Sequence, residues 1–445
     1  MHASGSIEGE DAWSLLHAGA RYDLAPTDRD EWSLSGEAYR GQVHNQYTVA
    51  QPTPPFVFTG REQNDVSGAG LRTRWTRTLS STSSFTLQAF LDQYSRALEL
   101  FEEDRTTADV DFQHSFQLSP SQQLMWGAAT RASYTDTKDT FLIAWRDNHR
   151  LDLLASAFVQ DEITLAPDRW KLTLGTKVEH ADSVGANLQP SLRLLYTPND
   201  HESWWASVSR AVRTPSQAEQ DVTVLQGFVP GVPNQVFLLE GDRDVDPETM
   251  DAVELGYRTR PHERVSIDLA AFYNHYRDLI QYEPQTPFLS GADLIIPLIA
   301  QNVPSADAYG FELAAEWAPA ENTRVTGSWS RQHITVDGGG SSSPTVSEPE
   351  GITPENQYDL RVQHDFTSEL QADAMVFYVD RLPQGDIDHY WRLDLRLEYR
   401  PDDRRSFAIG VQNLLHDGEK EFDTATFNAS NEMDLAVYFK AVWSF

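Results

Sequence analysis

Cysteine is absent from the 445 residues. That excludes a disulfide scaffold, a thiolate metal site and a cysteine nucleophile. Long apolar runs are absent too. The stretch Leu294 to Ala300 (LIIPLIA) is short and carries Pro297, and the mean hydropathy is −0.49. A transmembrane helix needs about 20 consecutive apolar residues, so helical spans are excluded. Basic residues are scarce: 35 Lys and Arg face 67 Asp and Glu, for a net charge of −32. This balance argues against a nucleic-acid partner, which requires basic surface. It suits acidic loops in water, with divalent cations or in a salty habitat. The amino terminus, MHASGSIEGEDAW, has neither a basic segment nor an apolar one, so no signal peptide is expected. The 13 histidines form no HExxH, and GxSxG, P-loop and Rossmann patterns are missing. Neither an enzyme nor a cofactor is expected.

What is present is alternation. In EMDLAVYFKAVWSF, Glu432 to Phe445, the residues Leu435, Val437, Phe439, Ala441, Trp443 and Phe445 form one apolar set. The residues between them are mostly more polar. Period two means a strand with two different faces. The cleanest case is YWRLDLRLEYR. Trp391, Leu393, Leu395, Leu397 and Tyr399 oppose Arg392, Asp394, Arg396, Glu398 and Arg400. A soluble core strand rarely alternates five charges. A charged inner face and an apolar outer face is the arrangement of a transmembrane barrel. Nineteen candidate strands are found, beginning near Trp13, Glu31, Gly68, Ser84, Arg105, Gln122, Leu151, Trp170, Leu188, Glu202, Pro247, Arg264, Ala306, Thr323, Glu355, Glu369, Tyr390, Arg405 and Glu432.

Connections alternate in length. Short turns such as Ala25–Asp30, Ala166–Arg169 and Pro401–Arg404 alternate with others, most of them longer. The longer ones include Val43–Ser67, Thr135–Arg150, Arg213–Asp246, Arg277–Ser305, Asp337–Pro354 and Leu415–Asn431. GGGSSS, Gly338 to Ser343, reads as a flexible loop tip. Short turns on one side and long loops on the other are a property of outer-membrane barrels. The predicted fold is therefore all-β: one transmembrane antiparallel barrel domain over 1–445, with no plug domain. Parity puts the start of the strand at Trp13 on the long-loop side. A chain delivered from the other side is then expected to have an odd number of strands upstream, so an amino-terminal truncation is expected.

Several segments resemble the C-terminal barrel of TonB-dependent outer-membrane receptors, in the family's order. They are SRAVRTPS (Ser209 to Ser216), DRDVDPETMDAVELGYR (Asp242 to Arg258), FYNHYRDLI (Phe272 to Ile280), AYGFELAAEW (Ala308 to Trp317) and VQNLLHDGEKEF (Val411 to Phe422). Pro247, Glu248, Glu254, Leu255, Gly256 and Tyr257 match the family pattern, whereas Val245 and Asp246 depart from its Leu-Lys pair. The resemblance implies about 22 strands around a plugged lumen, so three strands, the plug and the TonB box are expected to lie outside this chain. It also implies that Trp443 and Phe445 form the signal read by the barrel-assembly machinery.

Candidate ligand-binding residues are Arg210 and Arg213, which the resemblance places at the outer mouth. Arg392 and Arg396 are candidates too, because lumen arginines attract anionic complexes. The competing reading is pairing with neighbouring acids across strands. Glu102–Glu103, Asp161–Glu162 and Asp402–Asp403 read as solvated charge. Asp242, Asp244 and Asp246 offer oxygen ligands for calcium but lack the EF-hand glycine and terminal glutamate, and no metal site is assigned. The resemblance implies a monomeric receptor in the Gram-negative outer membrane, embedded in lipid. It would take up an iron–siderophore or similar scarce nutrient, energised by TonB through a plug missing here. A plugless passive porin is the alternative, and an outer-membrane barrel enzyme a further one.

Overall fold

The computed structural model describes residues 2–3, 12–98, 100–345, 347–415, 419–420 and 432–444. Its main sheet holds twenty strands, one of them only His2–Ala3, leaving the nineteen that alternation predicts. They run as one antiparallel meander from Trp13–Thr27 to Ala436–Trp443, each pairing with the next in the wall. Short turns such as Thr27–Asp30, Asn199–Glu202 and Asp402–Arg405 join the strands at one end. Among the described residues, the outer edge of Trp13–Thr27 carries only His2–Ala3, and Ala436–Trp443 pairs only with Arg405–Gln412. Phe445 and residues 416–418 and 421–431 lie outside the described residues.

Burial is inverted relative to a soluble protein. On Tyr390–Asp402, Leu397 is 44% exposed whereas Glu398 is 5% exposed. Leu397 stands opposite Ile409, and Ile409 opposite Phe439, so the apolar face continues across strands. Aromatic rings bound this band. Tyr309 and Trp317 share one strand, Trp391 and Tyr399 another, each pair eight residues apart. Eight residues span about 27 Å of strand. A tilt of about 40° reduces this to about 20 Å along the barrel axis, close to the apolar height of a membrane barrel. At the short-turn end Trp32 stacks on Trp75 at 5.0 Å, Trp170 on Tyr196 at 4.2 Å, and Trp443 meets Phe407 edge-on at 5.7 Å.

Three expectations about loops are corrected. Val43–Ser67 is not a loop: Asp30–Ala50 and Val57–Ser80 stay paired until Ala50 meets Val57. The stretch reads as irregular because its alternation is weak above the apolar band, yet ladder bonds continue. The segments Thr135–Arg150, Arg213–Asp246 and Arg277–Ser305 contribute to a second, six-stranded sheet at the long-loop end. Its members are Ile143–Trp145, Val222–Val229, Asn234–Glu240, Ile280–Pro284, Phe288–Ser290 and Asp293–Asn302. LIIPLIA lies within its Asp293–Asn302 strand, which pairs parallel to Asn234–Glu240 and antiparallel to Ile280–Pro284. A strand flanked on both sides reads as a continuous apolar run. The third correction, GGGSSS, belongs with the site below.

The wall depends on close approach at Gly256. A Cβ there would collide with the indole of Trp205, which lies over this glycine from the neighbouring strand. Replacing Gly256 by Val is expected to destabilise the barrel by about 1–3 kcal/mol through overpacking. Urea unfolding in detergent, followed by heat-modified gel mobility, measures the change.

Candidate functional site at the long-loop end

The site begins with SRAVRTPS. Strand Glu202–Arg213 alternates Trp204, Ala206, Val208 and Arg210 with Trp205, Ser207, Ser209, Ala211 and Arg213. The first set is continuous with the exposed apolar face: Trp204 packs on Tyr257 at 4.1 Å, and Val208 is exposed. Arg210 therefore points outward, while Arg213 faces inward at the mouth. Successive positions on a strand point to opposite sides, so the two arginines do not share a face. Arg210 binds Asp251 through Nε at 2.8 Å and a terminal nitrogen at 3.1 Å.

Arg213 anchors the loops. It donates to Glu248 at 2.5 Å and to both oxygens of Glu219 at 3.0 and 2.8 Å. Glu219 also accepts the Ser216 N–H at 2.7 Å, and Ser216 Oγ accepts the Glu219 N–H at 3.2 Å. This reciprocal cap starts the single turn of helix Gln217–Asp221. Ser-x-x-Glu is visible in the sequence and is the signal by which the turn is findable. The turn then buries Gln220 and Asp221, each 2% exposed. Arg150 reaches both, donating to Asp221 at 2.7 Å and to Gln220 at 2.6 Å, while its Nε holds Asp152. Arg243 binds the other oxygen of Asp221. Gly241 packs so tightly beneath the turn that a Cβ would lie 2.7 Å from the Ala218 carbonyl oxygen. Arg150, Gln220, Asp221 and Arg243 escape sequence reasoning because they converge from distant loops with no shared spacing.

Glu248 also accepts the Ile280 N–H at 2.8 Å, tying in the third loop. Buried Glu283 accepts the Ser342 N–H at 2.8 Å and the Ser341 hydroxyl, and Gln281 donates to Ser343 and Thr345 at 2.7 and 2.8 Å. GGGSSS is therefore docked on the second sheet; its side-chain-poor composition hid a partner that lies 58 residues away. Tyr47, Val49, Leu100, Leu142, Val222 and Val224 form a buried apolar cluster under the sheet. Burial, with the charge of Glu219 adding, pushes the Tyr282 phenol up to about 12. Among the described residues no group of acids and histidines is placed to hold a metal ion. Asp242 instead accepts the Asp244 N–H at 3.0 Å.

The inner wall carries Arg392 and Arg396. Arg392 binds Asp394 at 2.6 Å and lies over the Phe377 ring at 5.5 Å. Arg396 bridges Asp373 at 3.1 Å and Glu398 at 2.7 Å. Arg361 and Arg400 extend this into a ladder, Arg361–Asp373–Arg396–Glu398–Arg400. Gln371 links Arg400 to a third carboxylate, Asp365, so the ladder's three guanidiniums meet three carboxylates. Further round, a recess of about 640 Å³ is lined by Arg21, Arg72, Phe90, Asp92, Arg105 and Arg131, among others. The assembly is thus a lipid-facing wall with a charged interior, carrying at its long-loop end a platform of knitted loops.

That class of protein has relatives. Residues 6–414 match the family described as TonB dependent receptor-like, beta-barrel, and the chain belongs to that family. Its members are receptors and transporters, not enzymes. An iron-regulated outer membrane virulence protein of Vibrio cholerae serotype O1 is 22% identical over 272 residues, covering 58% of this chain and 40% of its own length. A probable TonB-dependent siderophore receptor, PirA of Acinetobacter baumannii, is 28% identical over 131 residues, 28% of this chain and 17% of its own. The chain therefore spans less than half the length of these curated relatives. Among solved structures, a mutant of the ferric enterobactin receptor PfeA of Pseudomonas aeruginosa superposes with a TM-score of 0.75 at 17% identity, over 98% of this chain and 70% of that one. The ferric-catecholate import receptor Fiu of E. coli gives 0.76 at 10%, over 100% and 76%. These likenesses share the fold.

Arg150→Met is expected to cost about 3 kcal/mol locally, because it strips one partner from a buried carboxylate. Faster hydrogen exchange over residues 217–241, with the wall unchanged, is the expected readout. A pH effect accompanies it. Burial raises the Glu219 carboxyl, but the Arg213 guanidinium and Ser216 together outweigh this and hold it below its ordinary value of 4.5. A depressed carboxyl stabilises the folded loops above that ordinary value, and the contribution is lost as pH falls through the lower folded value. Exchange in this turn should accelerate on acidification below about 4.5, and Glu219→Gln should flatten that dependence.

Proposed function

We propose that this chain is the barrel wall of an outer-membrane receptor that takes up a ferric siderophore or a similar scarce, bulky nutrient. The observation that carries the reading is the knitted platform. Three loops share one sheet; the first two also share the buried Asp221 and one apolar cluster, and the third is tied in through Glu248, so together they present one surface at the mouth of a wall of paired arginines. A passive porin needs no such preorganised platform, and preorganisation is what lowers the entropic cost of binding. The names of the relatives support the same cargo class. Arg213 at the mouth, then Arg392 and Arg396 on the inner wall, meet an anionic iron complex in turn; Arg210 takes no part from within the lumen.

In this reading the protein is a monomer in outer-membrane lipid. TonB acts through a plug, which the described wall and loops do not supply. Trp443, at the short-turn end, forms with Phe445 the signal for the barrel-assembly machinery; deleting Phe445 is expected to lower the folded fraction in outer-membrane preparations several-fold. Binding is tested by tryptophan quenching of the detergent-folded chain with a ferric catecholate siderophore. Saturable quenching that weakens about tenfold (a 1.4 kcal/mol change) in Arg213→Gln is the expected result. Absence of saturation together with steady conductance in planar bilayers would instead establish the passive channel.

A further inference from the structure

Arg210 is left without a role inside the barrel, and its surroundings on the outer face are organised. Val208, Val253, Tyr273 and Tyr309 stand opposite one another in one row across four strands, all about half exposed. This row is the upper edge of the apolar band. The next outward row is Arg210, Asp251, His275 and Asp307. It lies about 7 Å further along the strands, two residues on. Arg277 stands one outward position higher and leans down to Asp251 at 2.6 Å. One carboxylate thus fixes two guanidiniums, each with side-chain exposure near 40%.

The local charge decides what this cluster attracts. Asp307 is occupied separately, by the Tyr273 hydroxyl at 2.6 Å and by His275 at 2.8 Å. Glu248 faces the other way and is taken by Arg213 and the Ile280 N–H. Counting Asp307, the row sets two arginines against two aspartates, but among the described residues only Asp251 engages the two guanidiniums, which stand side by side on the surface of a chain whose net charge is −32. A guanidinium has five N–H donors. Asp251 engages two of Arg210 and one of Arg277, so the remaining donors are free for an incoming anion. The cluster sits just above a tyrosine row, where lipid headgroups meet water.

We propose that Arg210 and Arg277, held by Asp251, form a site for the phosphate of a phosphorylated lipid headgroup in the outer leaflet around the barrel. Guanidinium forks match phosphate oxygens in a bidentate manner. The site rests on the membrane-barrel reading above. It gives the protein a fixed lipid contact on the face below the platform, independent of anything that passes through the lumen.

The test uses the full chain folded in dodecyl maltoside micelles doped with bisphosphorylated lipid A, with bound lipid counted by native mass spectrometry. Retention is expected to exceed that of dephosphorylated lipid A by about tenfold. Arg210→Gln with Arg277→Gln should bring it down to the dephosphorylated level, while Arg404→Gln, at the short-turn end, should not. Should the glutamine pair fail to fold, the corresponding lysine pair keeps the charge but loses the fork, and an intermediate retention is expected. Equal retention by folded wild-type and variant chains would overturn the proposal and leave the receptor reading intact. Competition by millimolar inorganic phosphate would assign the site to free phosphate and overturn the lipid. A wild-type chain that never folds into micelles would overturn the membrane reading, and this proposal with it.

Discussion

Hydrocarbon offers no hydrogen bonds, so every backbone N–H and C=O inside a membrane must be satisfied by the protein itself. The rest of this structure follows from that constraint. Every strand of the described wall but the first and last lies between two full neighbours, in one uninterrupted antiparallel meander rather than separate sheets. Strands so placed have one face toward lipid and one toward the lumen, and residues divide between them by parity. Leu397 is exposed and Glu398 covered for this reason, not because the chain is poorly packed.

The covered face then has its own electrostatic requirement. A carboxylate taken out of water needs close positive partners and further hydrogen bonds. Asp373 has both, held between Arg361 and Arg396. The same solution recurs in the loops, where Arg150 and Arg243 enclose Asp221. In an acidic chain with few cations, arginines shared between two acids, or acids shared between two arginines, let few charges cover many sites. Two arginines share one acid on the inner wall at Asp373 and on the outer face at Asp251.

The loops show a different principle. Above the apolar band the wall's ladder no longer confines them, and they pair among themselves instead. The parallel contact between Asn234–Glu240 and Asp293–Asn302 joins segments that are far apart in sequence. Such non-local pairing is stable here because an apolar cluster lies beneath it and Glu219 and Glu248 tie it down. This knitted platform at the long-loop end is the part of the molecule that a plain barrel wall does not need.

The sequence by itself determined the wall. Nineteen alternating segments, their turns and their two faces follow from a period of two, and that period is local. It also contained the helix cap Ser216–Glu219 and the parity that sends Arg210 and Arg213 to opposite faces. Taken as one motif, SRAVRTPS hides that parity. Only the tertiary structure decided the second sheet, the docking of Gly338–Ser343 onto Glu283, and the meeting of Arg150, Arg243 and Asp221. It also decided that Arg392 and Arg396 are already paired. These contacts depend on which strands stand side by side and in what register. Register is set by the summed pairing of the whole wall, and no short stretch of residues carries it.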